Sequence, residues 1–230
     1  MKLGVKTFES ENFLKNFENL ADFFEIQAIQ TNDYSFLKKF SKPIIIHAEH
    51  RGSGVNPADK KINKKNLESI NFARNLADKT NAKKIILHPG FLSDGCAKEH
   101  ALNFAKSIND KRIIIENLTK PGGLCSTPEE MKEFMKLTGF GFCFDISHAI
   151  VNALVLNVDY KKIIKEFLKL KPIHFHIGGQ NMDSKIDNHY SFTDKRSNIP
   201  IKEILKLFPK DAEITLEVTT NIEKTKEDLR

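Results

Sequence analysis

The sequence predicts an α/β fold, a single (β/α)8 barrel, and three observations support this prediction. Short apolar runs rich in β-branched residues alternate with segments of helical periodicity along all 230 residues of the chain. Several of these runs are apolar without interruption, which is typical of parallel strands covered on both faces. No glycine fingerprint follows the first run, which disfavours the competing doubly wound open sheet. The chain length suits one TIM-barrel domain over residues 1–230.

Eight segments are predicted to be strands because they are short, mostly apolar and bounded by helical or turn-like sequence. In chain order they are Leu3–Lys6, Glu25–Ala28, Pro43–His47, Lys84–His88, Arg112–Glu116, Gly141–Asp145, Ile173–His176 and Glu213–Glu217. Strands that alternate with helices form βαβ units with right-handed crossovers, and therefore a parallel sheet. Eight such strands can close on themselves as a barrel.

Helical patterns lie between several of these strands. Before one of them, Ser126 or Thr127 can cap the N-terminus, and Pro128 suits the first turn. The predicted helices are Asn66–Lys79, Thr127–Leu137, Tyr160–Leu170 and Ile201–Phe208. Their apolar residues recur near helical spacing, as in a helix that packs one face on a sheet.

The composition is ordinary for a globular enzyme, with 40% hydrophobic and 29% charged residues. The longest apolar runs have only a few residues, far fewer than the ~20 needed to cross a bilayer. The segment Met1–Val5 shows neither the apolar core nor the cleavage site of a signal peptide. We therefore expect a cytoplasmic protein with no membrane partner, and no feature of the sequence indicates an obligate protein partner.

Cysteine usage limits the kinds of site the chain can carry. Its three cysteines, Cys96, Cys125 and Cys143, contain no CxxC pair. Neither a disulfide framework nor a zinc finger is predicted from this pattern. Any metal ion must therefore be held by histidines and carboxylates.

The net charge of +6 and the isoelectric point of about 9.0 are compatible with a partner that carries phosphate. The lysines are nevertheless dispersed through helical segments, where solvated helix faces explain them equally well. Charge by itself leaves the partner open.

The predicted strands carry side chains that bind metals at or near their carboxyl ends. They are His47, His88, Glu116, Asp145, Glu217 and, within strand seven, His174 and His176. These ends converge on one face of a barrel, where active sites are built. Buried carboxylates cost several kcal/mol to desolvate unless cations compensate them, and no Lys or Arg occupies the matching strand ends. Mixed histidine and carboxylate sets are typical of zinc, manganese and iron sites, so the sequence predicts a metal centre.

The order and local motifs of these residues resemble the endonuclease IV family, the trinuclear-zinc apurinic/apyrimidinic endonucleases within the xylose isomerase-like TIM barrels. The resemblance runs from about residue 43 to 217. The matching segments are His47-Ala-Glu, His88-Pro-Gly, Glu116-Asn, Asp145-x-x-His148, His174, Asp187-x-His189 and Leu-Glu217. The pair of Asp-x-x-His and Asp-x-His motifs favours this hydrolase family over the wider isomerase and epimerase relatives.

The resemblance implies up to three zinc ions per chain, with manganese or iron as alternatives. The implied ligands are His47, His88 and the bridging Glu116 for the first ion, Glu116, Asp145, His174 and Glu217 for the second, and His148, Asp187 and His189 for the third. His174 is preferred to His176 because its distance from Asp187 fits the family better. The implied reaction is hydrolysis of abasic-site DNA on the 5′ side of the lesion. In it Glu217 orients or deprotonates the nucleophile, and Glu116 sets the metal separation.

Some segments depart from the family pattern. His50 and Arg51 stand where the family usually has a tyrosine and an apolar residue, and both are candidate contacts for substrate phosphate. The loop at residues 29–34 lacks the arginine-rich pattern used against DNA, and His176-Ile177-Gly178-Gly179 replaces the usual Asn-Asp sequence. These changes leave the substrate open. Abasic DNA is the first expectation, a sugar or sugar-phosphate isomerase or epimerase is the alternative, and a nucleic-acid-binding module without turnover is a third hypothesis.

Overall fold

The computed structural model describes residues 1–7, 10–218 and 221–230, and these residues form a closed barrel of eight parallel strands. The strands follow one another around the barrel in chain order, and the last pairs with the first. They are β1 Lys2–Thr7, β2 Phe23–Ala28, β3 Ile44–Ala48, β4 Ile85–Leu87, β5 Ile113–Glu116, β6 Gly141–Asp145, β7 His174–Ile177 and β8 Glu213–Leu216. The predicted (β/α)8 fold is confirmed, and each predicted strand overlaps an observed one.

Eight α-helices occur in the described part of the chain. They are α1 Glu11–Phe17, α2 Asn63–Thr80, α3 Lys98–Ser107, α4 Pro128–Thr138, α5 Ile146–Leu156, α6 Tyr160–Leu168, α7 Ile201–Leu205 and α8 Ile222–Asp228. The predicted helices correspond to α2, α4, α6 and α7, whereas the other four were not predicted. Helix α5 is buried along most of its length, so it lacks the polar face that reveals a surface helix. Within the described ranges, no helix has both the length and the apolar character needed to span a membrane.

The start of α4 agrees with the sequence signal. The Thr127 side chain accepts a hydrogen bond from the backbone N–H of Glu130, and Pro128 is the first helical residue. A proline suits that position because the first N–H groups of a helix have no partner within the helix.

Side chains along each strand alternate between the barrel interior and the surrounding layer of helices. On β6, Phe144 packs outward against Phe167 of α6, with ring centroids 4.9 Å apart. Its neighbour Cys143 belongs instead to an interior apolar cluster with Phe23, Ile45, Ile86 and Ile114. Asp145 lies two residues beyond Cys143 and therefore faces the interior one layer nearer the carboxyl ends of the strands. That layer contains the candidate site.

Candidate metal centre

The first group of potential ligands joins β3, β5 and the residue that follows β4. The Nε2 atoms of His47 and His88 lie 3.2 Å and 3.1 Å from the same oxygen, Oε2 of Glu116. Glu116 is buried, with 1% of its surface exposed, so this carboxylate is shielded from bulk water. The three residues place two nitrogens and one oxygen close enough to hold one ion.

A second group shares Glu116 and adds residues from β6, β7 and the end of β8. It consists of Glu116, Asp145, His176 and Glu217. The Nδ1 atom of His176 lies 2.8 Å from Oε2 of Glu217 and 3.6 Å from Oε2 of Glu116. Asp145 uses Oδ1 to accept from the backbone N–H of His148 and so caps α5. This cap aligns the carboxylate and leaves Oδ2 available to the centre.

The third group lies at the rim of the barrel and consists of His148, Asp187 and His189. Nε2 of His148 is 3.1 Å from Oδ2 of Asp187, and His189 contacts the same oxygen. His148 is in the first turn of α5, whereas the other two residues are on the loop after β7. The two sequence motifs that distinguished the hydrolase resemblance therefore meet in space.

Hydrogen bonds to backbone carbonyls fix the ring orientation of three of these histidines. Nδ1 of His47 lies 2.8 Å from the carbonyl oxygen of Ala48, and Nδ1 of His148 lies 2.7 Å from that of Asn117. Nδ1 of His189 lies 3.0 Å from the carbonyl oxygen of Glu217. A carbonyl only accepts, so Nδ1 carries a proton, and Nε2 is the nitrogen that can present a lone pair to the centre once the ring is neutral. Metal-binding histidines are oriented in this way.

The carboxylates give the centre an excess of negative charge, and without a metal ion only bound protons can offset it. Burial raises the pKa of Asp145 to about 7, and repulsion by the surrounding carboxylates adds to this effect. Burial opposes the charged form of His189, yet its hydrogen bond to Asp187 and the nearby Glu217 raise its pKa to about 9. The site thus retains protons to offset its carboxylates, a role that a divalent cation can fill.

The residues present fit a metal ion by a second criterion. Among the buried polar atoms of the described chain that make no hydrogen bond of good geometry, four belong to the centre: Asp145 Oδ2, His176 Nδ1, Asp187 Oδ1 and Glu217 Oε2. Unpaired buried polar atoms are costly, so native proteins normally satisfy them. Here they converge, and their mixed nitrogen and oxygen character suits zinc, manganese or iron.

The structure places His174 away from Glu116 and Glu217, in a separate group of potential ligands with Cys143 and His176. It places His176 beside Glu116 and Glu217, whereas His174 lies one layer deeper. There Nε2 of His174 is 2.9 Å from Oγ1 of Thr215, and its ring packs edge-on against Phe23. Both histidines face the interior because they are two residues apart on one strand. The strand register decides between them, since His176 pairs with Asp145 and His174 pairs with Cys143.

Two charged residues inside the barrel were not predicted as part of the site. Nζ of Lys6, on β1, lies 2.8 Å from Oε1 of Glu217 and 3.6 Å from Oε1 of Glu25, on β2. No Lys or Arg occupies the ends of the six strands that carry the ligands, but Lys6 brings a cation to the centre from the first strand. One signal in the sequence could have revealed them. Each of the first two predicted strands carries an ionisable residue, Lys6 or Glu25, at a position that faces the barrel interior.

The two predicted substrate contacts lie in different surroundings. The ring of His50 stacks on that of His88, with centroids 4.9 Å apart, and its Nδ1 accepts from the backbone N–H of Gly52. Burial and the neighbouring histidines lower the pKa of His50 to about 2, so this ring is neutral. Arg51 is exposed, and its guanidinium lies 5.2 Å from the centre of the Phe91 ring. His50 therefore adjoins the centre, whereas Arg51 is held at the surface.

Known proteins resemble this chain in sequence and in fold. An uncharacterized protein of Methanocaldococcus jannaschii is 26% identical over 221 residues, covering 82% of this chain and 81% of that protein. A D-tagatose 3-epimerase-like protein has a TM-score of 0.78 at 22% identity, covering 99% of this chain and 94% of its own. Endonuclease IV from Thermus thermophilus has a TM-score of 0.66 at 14% identity, covering 94% of this chain and 91% of its own. At these identities the structural similarities show the fold alone.

The family comparison covers almost the whole chain. The model of the family described as xylose isomerase-like TIM barrel matches residues 2–230. This span includes every strand of the barrel and all of the potential metal ligands described above. The chain belongs to the xylose isomerase-like TIM barrel family.

Proposed function

We propose that this chain is a metal-dependent phosphodiesterase of the endonuclease IV type, which hydrolyses DNA on the 5′ side of abasic sites. The observation that carries the proposal is that three groups of donor atoms adjoin one another at the barrel mouth and that Glu116 belongs to two of them. Divalent ions held by these residues would stabilise the attacking and leaving oxygens of a phosphodiester.

The proposal assigns the ligands group by group, with zinc as the first choice and manganese or iron as alternatives. The ligands are His47, His88 and Glu116, then Glu116, Asp145, His176 and Glu217, and finally His148, Asp187 and His189. Relative to the sequence-based hypothesis, His176 replaces His174, and the other eight residues are unchanged.

Two carboxylates have further roles in this proposal. Burial opposes the charged form of Glu217, but Lys6 and His176 hold its pKa well below the usual range. Its ionised carboxylate can orient the attacking water or accept a proton from it. Glu116 contacts both His47 and His88 and is nearly inaccessible to solvent, so it sets the spacing between the first two groups.

A sugar or sugar-phosphate isomerase or epimerase is the second candidate. The observation that favours it is that the group containing Glu116, Asp145, His176 and Glu217 is complete without the others and is large enough to hold one ion. The likeness to the D-tagatose 3-epimerase-like protein supports the fold of this candidate and not its activity. The two candidates differ in the number of ions that they require.

The test combines a metal count with a nicking assay. The purified chain is loaded with Zn²⁺ or Mn²⁺, and bound metal is measured by mass spectrometry for the wild type, His189→Ala and His100→Ala. His100 lies on α3, outside the candidate centre, and is the matched control. We expect three ions in the wild type and in His100→Ala, and two in His189→Ala.

The same preparations are incubated with a duplex that contains a tetrahydrofuran abasic analogue. Nicking on the 5′ side that EDTA abolishes supports the proposal. A single bound ion together with an intact duplex favours the isomerase or epimerase. Binding of the duplex without EDTA-sensitive nicking favours a nucleic-acid-binding module.

A further inference from the structure

A lysine of the first strand lies beside Glu217, a residue of the candidate metal centre. Lys6 is on β1, and only 11% of its side chain is exposed. Its Nζ atom is 2.8 Å from Oε1 of Glu217 and 3.6 Å from Oε1 of Glu25. Glu217 is 211 positions away in sequence, so this contact exists only because β8 closes the barrel against β1.

The two carboxylate oxygens of Glu217 have different partners. Oε1 accepts from Lys6, and Oε2 faces Nδ1 of His176 at 2.8 Å. The terminal torsion of a glutamate is broad and roughly two-fold, so an unrestrained carboxylate samples several orientations. The ammonium removes this freedom and keeps Oε2 directed at the centre.

Glu25 fixes the orientation of the His176 ring in a similar way. It is fully buried, and its Oε2 accepts from the hydroxyl of Thr215 at 2.6 Å and lies 2.9 Å from Nε2 of His176. When the ring is neutral and Glu25 holds the proton of Nε2, the lone pair is on Nδ1, which faces Glu217. His176 thus presents the opposite nitrogen from His47, because a carboxylate rather than a backbone carbonyl holds the other side of its ring.

Lys6 and Glu25 also neutralise each other's charge. Removal of one partner from a buried ion pair leaves an uncompensated charge and is more damaging than removal of both. A structural role and a positioning role can therefore be separated by comparing single and double substitutions.

We propose that Lys6, anchored by Glu25, is a positioning residue that fixes Oε2 of Glu217 and Nδ1 of His176 toward a bound divalent cation. This inference rests on the proposed function, since it assumes that Glu217 and His176 are metal ligands. Loss of positioning weakens metal binding. A simple charge effect acts in the opposite direction, because removal of a nearby cation strengthens the attraction of the site for a metal ion.

The experiment measures Zn²⁺ affinity of the full chain by chelator competition, without substrate. The variants are Lys6→Met, Lys6→Arg, the double substitution Lys6→Met with Glu25→Gln, and Lys84→Met. Lys84 is a matched control because it is similarly shielded and pairs with Glu213 at the amino end of β8, 2.6 Å away. Circular dichroism and thermal unfolding establish which variants are folded.

We expect Lys6→Met to weaken the affected Zn²⁺ site about 10-fold to 100-fold, as for other residues that orient metal ligands. Lys6→Arg should recover most of the affinity, and Lys84→Met should match the wild type. The double variant should recover thermal stability but not Zn²⁺ affinity. On an abasic duplex, kcat should fall more than KM rises in Lys6→Met.

Wild-type or tighter Zn²⁺ binding by the double variant would overturn the positioning role, even if Lys6→Met itself fails to fold. If no variant or wild-type protein nicks abasic DNA but Zn²⁺ affinity falls as described, the positioning role stands and the proposed substrate fails. If the wild type nicks DNA and substitution of Lys6 changes neither affinity nor kcat, the proposed function stands and this inference fails.

Discussion

The histidines of the candidate centre differ in the ring nitrogen that faces the carboxylates. His47, His148 and His189 each bring Nδ1 to a backbone carbonyl and turn Nε2 to the centre. His176 turns Nδ1 to the centre because Glu25 holds its Nε2. Orientation is thus set by the group behind each ring, which explains why a residue outside the ligand set, such as Glu25, matters to the geometry.

Glu217 offers a direct test of the proposed chemistry. We expect Glu217→Gln to lower nicking of an abasic duplex about 100-fold to 10,000-fold, which is the usual range for the loss of a positioned acid or base. Binding of the duplex, measured by fluorescence anisotropy, should remain close to that of the wild type. Glu213→Gln at the other end of β8 is the control and should retain activity. Full activity of Glu217→Gln would remove this residue from the mechanism.

His50 is expected to donate a hydrogen bond to the substrate. Its Nδ1 already accepts from Gly52, so the neutral ring carries its proton on Nε2. His50→Ala should raise KM about 3-fold to 10-fold, the effect of one neutral hydrogen bond, with little change in kcat.

The low pKa of His50, about 2, sets the pH dependence of that effect. A histidine whose folded pKa is lowered stays uncharged above that value, so the ratio of variant to wild-type KM should be constant from about pH 5.5 to 8.5. A ratio that changes near pH 6.5, roughly the value of an ordinary histidine, would show that the ring is protonated and would contradict this assignment.

At the scale of secondary structure, the junctions between strands and helices position the centre. Asp145 is both the last residue of β6 and the N-cap of α5. No loop therefore separates this potential ligand from the helix that carries His148. The loop after β7 brings Asp187 to His148. At the opposite end of the barrel, Asp110 joins the start of β5 to α2 through Arg112 and Arg74.

Asp110 provides a stability prediction at this scale. Hydrogen bonds from Arg112 lower its pKa despite the opposing effect of burial. We expect Asp110→Asn to lower the free energy of unfolding by about 1–3 kcal/mol at pH 7, the range for hydrogen bonds to charged groups. Urea unfolding measures this difference. The control is Asp94→Asn, the same substitution at an exposed position.

The sign of its pH dependence follows from the lowered pKa. The contribution of Asp110 is fully present above the pKa of an unfolded aspartate, about 3.9, and is lost as pH falls toward the folded value. The difference between wild type and Asp110→Asn should therefore shrink below about pH 4. A difference that is constant from about pH 7 to pH 3 would show that charge is not its cause.

At the scale of the whole molecule, the candidate centre is built from strands that are distant in sequence. Its residues come from β3, β5, β6 and β7, from the first turn of α5, and from the segments that follow β4, β7 and β8. An ion bound among them would link opposite sides of the barrel and compensate carboxylates that otherwise repel one another. Metal binding should therefore stabilise the entire fold.

Thermal unfolding with and without metal tests this expectation. Zn²⁺ at about 100 times its Kd should stabilise the fold by about 2.7 kcal/mol for one site. For a chain of this size, that corresponds to a rise in Tm of about 5–10 °C. Mg²⁺, which prefers oxygen ligands, should have a smaller effect. An unchanged Tm with Zn²⁺, Mn²⁺ and Fe²⁺ would contradict the assignment of a metal centre.

Local periodicity and the chemistry of the strand ends determined the fold and most of the candidate site. The apolar runs around Ile46, Ile86 and Ile115 predict buried strands, and the residues that close those runs predict convergence at the barrel mouth. This inference is reliable because parallel barrel strands all end on the same face. It named eight of the nine residues that lie in these three donor groups, and their role as metal ligands stays a prediction.

Only the tertiary structure showed that His176, and not His174, lies beside Glu116 and Glu217, because both face inward and the register with β6 selects the layer. It also decided the contact of Lys6 and Glu25 with the centre. Sequence periodicity reports which face of an element is buried, but not which residue of another element lies opposite. Contacts such as that between Lys6 and Glu217 depend on closure of the barrel, and closure is a property of all eight strands together.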